Sequence, residues 1–273
     1  MTDAHFHPYN LIEYYPDAEN ERKKAGIAAS ASSTFINEFE YNKKLSINAE
    51  EEGAAALYCS FAIHPQLCAK WTEDNAKEEL ETSINFLENL AKKNLLDGIG
   101  ETGFDLFKEY YRNSEKIQEE VFNCHLDIAI KYNLPLTLHL RKAIQKILPY
   151  SKMLKKLPHV IVHSWPASHE EGKLLIKKGI NVYFSFSSTI IKNHKKAMKS
   201  AALFPLERLL LETDAPWQPP YGKSYSSWTD LIQISEAMAA LRKEAGSPCS
   251  SIEEIIHVTS ENFNNIFNRT KEN

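Results

Sequence analysis

Two histidines stand two residues apart behind an aspartate in DAHFHP, Asp3–Pro8. Side chains two apart on a strand share a face, so His5 and His7 can present both imidazoles to one point. Further along come Glu101 in GIGETGFD, His139 in LTLHLR, His163 in VIVHS and Asp214 in LLLETDAPW. Four imidazoles and two carboxylates suit a divalent first-row ion better than calcium, which takes oxygen ligands. One open catalytic zinc uses three protein ligands, so this larger set suits two ions sharing a carboxylate. Such a pair polarises a phosphoryl or carbonyl oxygen and generates hydroxide from water near neutral pH. Two divalent ions outweigh two carboxylates, and the net positive centre favours an anionic substrate. Each residue alone has a plainer role. A strand-end histidine is commonly a satisfied core or surface group, Glu101 could cap a helix, and Asp214 could open a turn ahead of Pro216.

Chemistry of this kind needs elements that bring distant residues together. Eight short, aliphatic runs read as strands: TDAHFH from Thr2, GIAASAS from Gly26, AALYCSFAI from Ala55, LLDGIGET from Leu95, LPLTLHL from Leu134, HVIVHS from His159, INVYFSF from Ile180 and RLLLETD from Arg208. Near-continuous apolar runs mark strands buried on both faces of a parallel sheet. Helical patterns lie between them. Ala76, Leu80, Ile84, Leu87 and Ala91 build one apolar stripe, and Ile117, Val121, Cys124 and Ile128 build another. Ser168 with Glu171 and Ser251 with Glu254 have capping-box spacing. Gly179 follows the helix expected over 170–178, where a C-terminal glycine belongs. Pro135 and Pro158 stand just before strands.

Eight strand–helix units with no linker predict an α/β fold, a (β/α)8 TIM barrel forming a single domain over residues 1–273. Closure removes both sheet edges; an open doubly wound sheet is the alternative. No G-x-G-x-x-G follows a strand, which disfavours a dinucleotide site. In a closed barrel the carboxyl ends of the strands converge on one face, and the candidate ligands fall at those ends. His125, His169, His194 and His257 fall in helical patterns and His159 opens its strand; all five read as structural.

A net charge of −4 and a pI near 6.2 disfavour a grip on duplex nucleic acid by bulk charge. Cys59, Cys68, Cys124 and Cys249 are scattered and form no C-x-x-C, which suggests free thiols in a reducing, cytoplasmic setting. The N-terminus carries neither a basic n-region nor an apolar h-region, so no signal peptide is expected. No apolar run is long enough to span a bilayer, and no membrane association is expected.

The ordered set DAHFHP, AIHP, GETGFD, HLR, VHS and ETDAPW resembles the TatD family of metal-dependent hydrolases, within the wider amidohydrolase-like barrels. The C-terminal SENFNNIF resembles that family's closing helix. The resemblance implies a (β/α)8 barrel, a binuclear centre of divalent ions (Mg, Mn or Zn) and phosphoester hydrolysis, typically as a DNase, with 3′–5′ exonuclease action as one mode. It implies that His5 and His7 bind the first ion and that Asp214 completes this site and takes the proton from the attacking water. It implies that Glu101 bridges to a second ion completed by His139 and His163, which makes Glu101 and Asp214 the catalytic carboxylates. His64 of AIHP would contact a phosphate oxygen or a bound water, and Arg141 would hold a non-bridging phosphate oxygen through its planar fork. The implied partner is a phosphodiester substrate, single-stranded DNA ends among them, with no obligate protein partner. Hydrolysis of an amide, ester or aminoacyl linkage on the same barrel is the alternative activity, and a non-catalytic binding module the alternative of another class.

Departures from the family pattern gather at the substrate rim: Gln66 after HP, Ala62 before Ile63, Lys142 after HLR, the bulky Ser164–Ser168 run, and the stretch beyond Gly222. Lysine runs at 192–199 and 152–156 read as solvated helix faces, with phosphate contact as the other option. Trp165, Trp217, Tyr221, Tyr225 and Trp228 follow strands six and eight, where rings could stack unpaired bases or pack the loops.

Overall fold

The computed structural model describes residues 1–71, 76–248 and 250–268. Cys249 therefore lies outside the described residues, as does the side chain of Ala76. Eight parallel strands pair in chain order: β1 Thr2–Phe6, β2 Ala28–Ser33, β3 Leu57–Phe61, β4 Gly98–Asp105, β5 Leu136–Arg141, β6 Val160–Val162, β7 Val182–Phe186 and β8 Leu209–Leu211. All eight overlap the runs read from sequence. The sheet closes where the β8 end meets β1: the Asp214 N–H donates to the His5 carbonyl (2.9 Å) and the His7 N–H to the Ala215 carbonyl (2.8 Å). The barrel expectation holds, and the open-sheet alternative does not.

Alternation along the strands separates two environments. Leu136, Leu138 and Leu140 of β5, Val160 and Val162 of β6 and Phe184 and Phe186 of β7 belong to the main apolar core. Their alternates, Thr137 and His139, Ile161, and Tyr183 and Ser185, lie outside it. Apolar stripes complete the core from outside. Leu87 and Ala91 of the helix Ala76–Lys92 are buried, as are Val121 and Ile128 of the helix Glu115–Lys131. Both capping boxes form. Ser168 and Ser251 accept from the N–H three residues on, and Glu171 and Glu254 return the contact. The C-terminal helix Ile252–Phe267 packs Phe263 and Phe267 against Tyr58, Ile161, Tyr183 and Leu210. Its Asn262 amide donates to the Leu206 and Leu209 carbonyls, which fastens it beneath β8.

One element differs from expectation. Residues 152–156 lie on no full helix; a 3-10 segment, Ile144–Tyr150, precedes a single α-turn, Ser151–Leu154. Pro149 within that segment supplies no N–H and bars a continuous i→i−4 ladder. Lys152, Lys155 and Lys156 are exposed, and Lys155 lies beside Gly179 at the start of β7, on the barrel's amino side. Burial pushes the Cys59 and Cys68 thiols up to about 12, so neither is a thiolate at neutral pH. Among the described residues, no helix is long and apolar enough to cross a membrane.

Asp3 holds the seam together. Its carboxylate accepts from the Thr213 N–H (3.0 Å), the Thr213 hydroxyl (2.6 Å) and the His5 N–H (3.3 Å). Burial pushes this carboxyl up to about 7 in spite of those bonds. Asp3→Ala would leave two buried N–H groups without an acceptor. We expect it to lower the unfolding free energy by about 2–3 kcal/mol in urea titrations. An unchanged midpoint would show that the seam closes without this carboxylate.

Candidate metal centre

Strand bulges aim the first residues of the site. In β1, Asp3 stands opposite Ala29 but Phe6 opposite Ala31; in β4, Ile99 stands opposite Leu136 but Thr102 opposite Leu138. Each bulge inserts one extra residue, and these two strands carry His5 and Glu101. Glycines allow β4 to lie this close to β5. A Cβ on Gly103 (φ +130°) would meet the His139 carbonyl oxygen at 2.4 Å, and one on Gly100 would meet Thr137 Cβ at 2.5 Å. His7 falls one residue past β1, at the start of the short helix Pro8–Leu11. Its convergence with His5 thus owes as much to the strand end as to alternation. Lys142, Ser164 and Asp214 follow β5, β6 and β8 with left-handed backbone, φ 54°, 43° and 51°. Non-glycine residues adopt that region at a cost, and here they turn the chain sharply at the mouth.

The six expected ligands meet. Glu101 lies between two groups of nitrogens. Its Oε1 is 3.3 Å from His5 Nε2 and 3.6 Å from His7 Nε2. Its Oε2 is 2.7 Å from His139 Nδ1, 2.7 Å from His163 Nε2 and 3.3 Å from His64 Nε2. Asp214 Oδ1 is 3.4 Å from His7 Nε2 and 3.7 Å from His5 Nε2. The donors fit a divalent cation. Among the described residues, His5 Nε2 is buried with no hydrogen-bond partner. Ligand atoms of His5, His7 and Asp214 lie within 4.8 Å of one another, as do those of His5, Glu101 and His163, and those of His64, Glu101 and His139. The mixed nitrogen–oxygen set matches zinc, manganese and related ions.

Outer partners set His64 apart from the other histidines. His139 turns Nε2 to Asp105 Oδ2 (3.3 Å), and His163 turns Nδ1 toward Glu212 Oε1 (3.5 Å). Carboxylates thus stand behind both rings, where each could take the outer N–H once a cation occupied the inner nitrogen, which here faces Glu101 Oε2. His64 is the reverse. The Gln66 N–H donates to its Nδ1 (3.1 Å), which puts the proton of the neutral ring on Nε2. Burial also lowers the His64 pKa and keeps this ring neutral. His64 therefore presents an N–H to the centre, in keeping with contact to a phosphate or water oxygen rather than to a cation.

Charge is balanced within the cluster. Burial works to raise the Glu101 carboxyl, but His163, His64, His5 and His139 outweigh it and hold the group well below the usual carboxylate range. Asp214 is lowered likewise, burial being overcome by His7, His163 and His5. Conversely, burial disfavours charge on His163, yet Glu101 and Glu212 lift it well above the usual histidine value. Asp105 and Glu101 lift His139 in the same way, and Asp214 and Glu101 lift His7.

Several residues near the centre were not singled out by spacing. Asp105 lies four beyond Glu101 in GETGFD; burial works to raise its carboxyl, but His139 and Gln66 bring it down to about 2. Asp3 stands two residues before His5 on β1, where period-two alternation was the available signal, and Glu212 stands two before Asp214 just past the end of β8. Among the described residues Arg141 makes no ion pair; its guanidinium stacks on the Phe107 ring at 4.0 Å, with Lys142 Nζ at 5.5 Å from the same ring. Two tryptophans are placed away from solvent. Trp165 is buried against Phe184 and Phe204 and donates to the Ser200 hydroxyl, and Trp228 is buried against Phe6 and donates to the Ala18 carbonyl. Neither can stack a base. Tyr225 packs against Tyr14 and Tyr15. Trp217 and Tyr221 remain exposed, 53% and 74%. Of the helical histidines, His125 is a satisfied core residue between the Ile63 N–H and the Thr102 hydroxyl, its pKa pushed down to about 3 by burial.

A cation entering this cluster must displace protons from His7, His139 and His163, whose folded pKa values lie above 6.5. Affinity for Mn²⁺ is therefore expected to fall as pH is lowered, with the loss beginning above pH 6.5. Calorimetry at pH 7 in buffers of different ionisation enthalpy should show proton release on binding. Binding without proton release would contradict this ligand set.

The model of the family of TatD related DNases matches residues 2–268. An uncharacterized metal-dependent hydrolase of Buchnera aphidicola is 30% identical, over 98% of this chain and 99% of that protein. The 3′-5′ ssDNA/RNA exonuclease TatD of Pantoea ananatis is 30% identical over 60% of each. A TatD homologue of Escherichia coli K12 has the same fold, with a TM-score of 0.81 at 23% identity over 98% of both chains. With a match spanning nearly its whole length and this clustering at the barrel mouth, the chain belongs to the family of TatD related DNases.

Proposed function

We propose that this protein is a divalent-metal-dependent phosphodiesterase that cleaves single-stranded nucleic acid at a binuclear centre. The observation that carries the reading is the two-sided position of Glu101, with one oxygen toward His5 and His7 and the other toward His139 and His163. His5, His7 and Asp214 would hold one ion, His139 and His163 the other, and Glu101 would bridge them. The ions would supply Lewis-acid charge and lower the pKa of water. Asp214 Oδ1, the oxygen turned to the centre, accepts the proton that the attacking water sheds. His64 Nε2–H donates to a non-bridging phosphate oxygen. Arg141, already stacked on Phe107, binds a second such oxygen with little loss of side-chain freedom.

Preference for unpaired strands follows from the rim. Trp217 stands beside the first donor group, its ring centroid 6.5 Å from that of His7. The Tyr221 hydroxyl reaches the Lys192 carbonyl, so this loop meets the lysine run after β7. An exposed ring next to the reacting phosphate gives a base a stacking surface. The name of the Pantoea relative is consistent with the same substrate class.

Glu101→Ala and Asp214→Asn are expected to abolish turnover of single-stranded DNA and bis-p-nitrophenyl phosphate while leaving circular dichroism unchanged. Chelation should silence the enzyme, and Mg²⁺, Mn²⁺ or Zn²⁺ should restore it. Cleavage of acyl esters but of neither phosphodiester would overturn the phosphodiesterase reading in favour of acyl hydrolysis. Trp217→Ala should raise KM for an oligonucleotide about tenfold, the loss of one stacked base, and leave bis-p-nitrophenyl phosphate unaffected. An unchanged oligonucleotide KM would remove the stacking role.

A further inference from the structure

Asp214 has two oxygens, and only Oδ1 faces the imidazoles. The other is occupied by a residue four positions on. Gln218 Nε2 lies 2.6 Å from Asp214 Oδ2. A carboxylate at this site only accepts, so the amide nitrogen must be the atom that faces it, and the amide orientation follows. Gln218 Oε1 then accepts the Ser187 hydroxyl at 2.7 Å, and the Ser164 hydroxyl lies 2.9 Å from Nε2. The Gln218 carbonyl accepts the Ser188 hydroxyl at 2.6 Å. These partners come from three different strand ends: Ser164 follows β6, Ser187 and Ser188 follow β7, and Gln218 follows β8. Ser187 and Ser188 are buried, and the amide has little room to turn.

We infer that Gln218 is the positioning residue of Asp214, fixing its carboxylate so that one oxygen alone faces the first donor group. The inference rests on the metal-centre reading above and extends it to a residue outside the ligand set. Three consequences follow from the geometry. The hydrogen bond at Oδ2 prevents the carboxylate from turning both oxygens to one ion. The donated N–H draws charge toward Oδ2, so Oδ1 is set by a fixed neighbour and not by solvent. The serines on the far side of the amide tie this setting to the loops after β6 and β7, so a substrate that moves either loop also moves Asp214.

The test reads metal binding rather than turnover. Apo-protein prepared by chelation is titrated with Mn²⁺ in a calorimeter. Gln218→Leu keeps the size of the side chain and removes its donor. It should weaken Mn²⁺ binding about tenfold with the apo-protein's Tm unchanged. In an Asp214→Asn background the same change should cost nothing further, because the residue acts through that carboxylate. Should Gln218→Leu fail to fold, Ser187→Ala decides instead. It leaves the donor in place but frees the amide, and a smaller loss of affinity is expected. Wild-type affinity in a folded Gln218→Leu or Ser187→Ala protein would overturn the inference. Equal losses with and without Asp214 would also overturn it, by making Gln218 a brace between loops. A wild-type protein that binds no divalent ion would remove both this inference and the proposed centre. One that binds Mn²⁺ with the expected coupling yet cleaves no phosphodiester would remove only the substrate reading.

Discussion

The first and last strands have to hydrogen-bond to each other for the sheet to close, and the residues that do so also carry half of the centre. His5 accepts from the Asp214 N–H, His7 donates to the Ala215 carbonyl, and Asp3 joins His5 to Thr213. Backbone closure and donor convergence are therefore one event. A chain that failed to seat its first seven residues would lose the β1–β8 seam and two imidazoles together. This explains why functional groups can stand so close to a terminus, where chains ordinarily fray.

Burying several acids and bases at one point has a cost, and the arrangement around Glu101 shows how it is met. An isolated buried carboxylate would take up a proton. Here five imidazoles surround Glu101, and it stays ionised. The imidazoles in turn are oriented from behind, His139 by Asp105 and His163 by Glu212. Glu212 has no hydrogen-bond partner for either oxygen among the described residues, and its contact to His163 is long. Its part is electrostatic, raising the basicity of a ring whose other nitrogen faces the centre. His64 is instead backed by a donor, the backbone N–H two residues away, which sets its proton on Nε2. One cluster thus contains rings backed by carboxylates and one backed by an N–H.

The fold was legible because its signals are local. Runs such as LPLTLHL and INVYFSF announce buried strands, and Ser168-x-x-Glu171 announces a helix start, whatever happens elsewhere in the chain. The convergence of these side chains was legible because histidines and acids recur at the ends of strands that a closed barrel brings to one mouth. What escaped depends on contacts between segments. Nothing in VHSWPAS tells whether Trp165 faces substrate or core; Phe184, Phe204 and Ser200 decide that, and they belong to other elements. Gln218 carries no signal of its own in the sequence because its partners come from the ends of three strands. The bulges in β1 and β4 are equally silent, although they determine where His5 and Glu101 point.

The burial of Trp165 bears on the substrate rim. The run Ser164–Ser168 departs from the family pattern, and bulk at that place suggests an obstruction over the mouth. The indole instead turns into the core, and its backbone N–H donates to the Ser185 carbonyl on β7. The loop is anchored rather than raised. Ser164, set in left-handed backbone just before it, is left directed at Gln218. The loop after β6 is thus held in place, its polar end joined to Asp214 through the Gln218 amide. Rim and donor group are in this chain parts of one network, because the loop that Trp165 anchors carries the hydroxyl that meets the Gln218 amide, and that amide donates to Asp214.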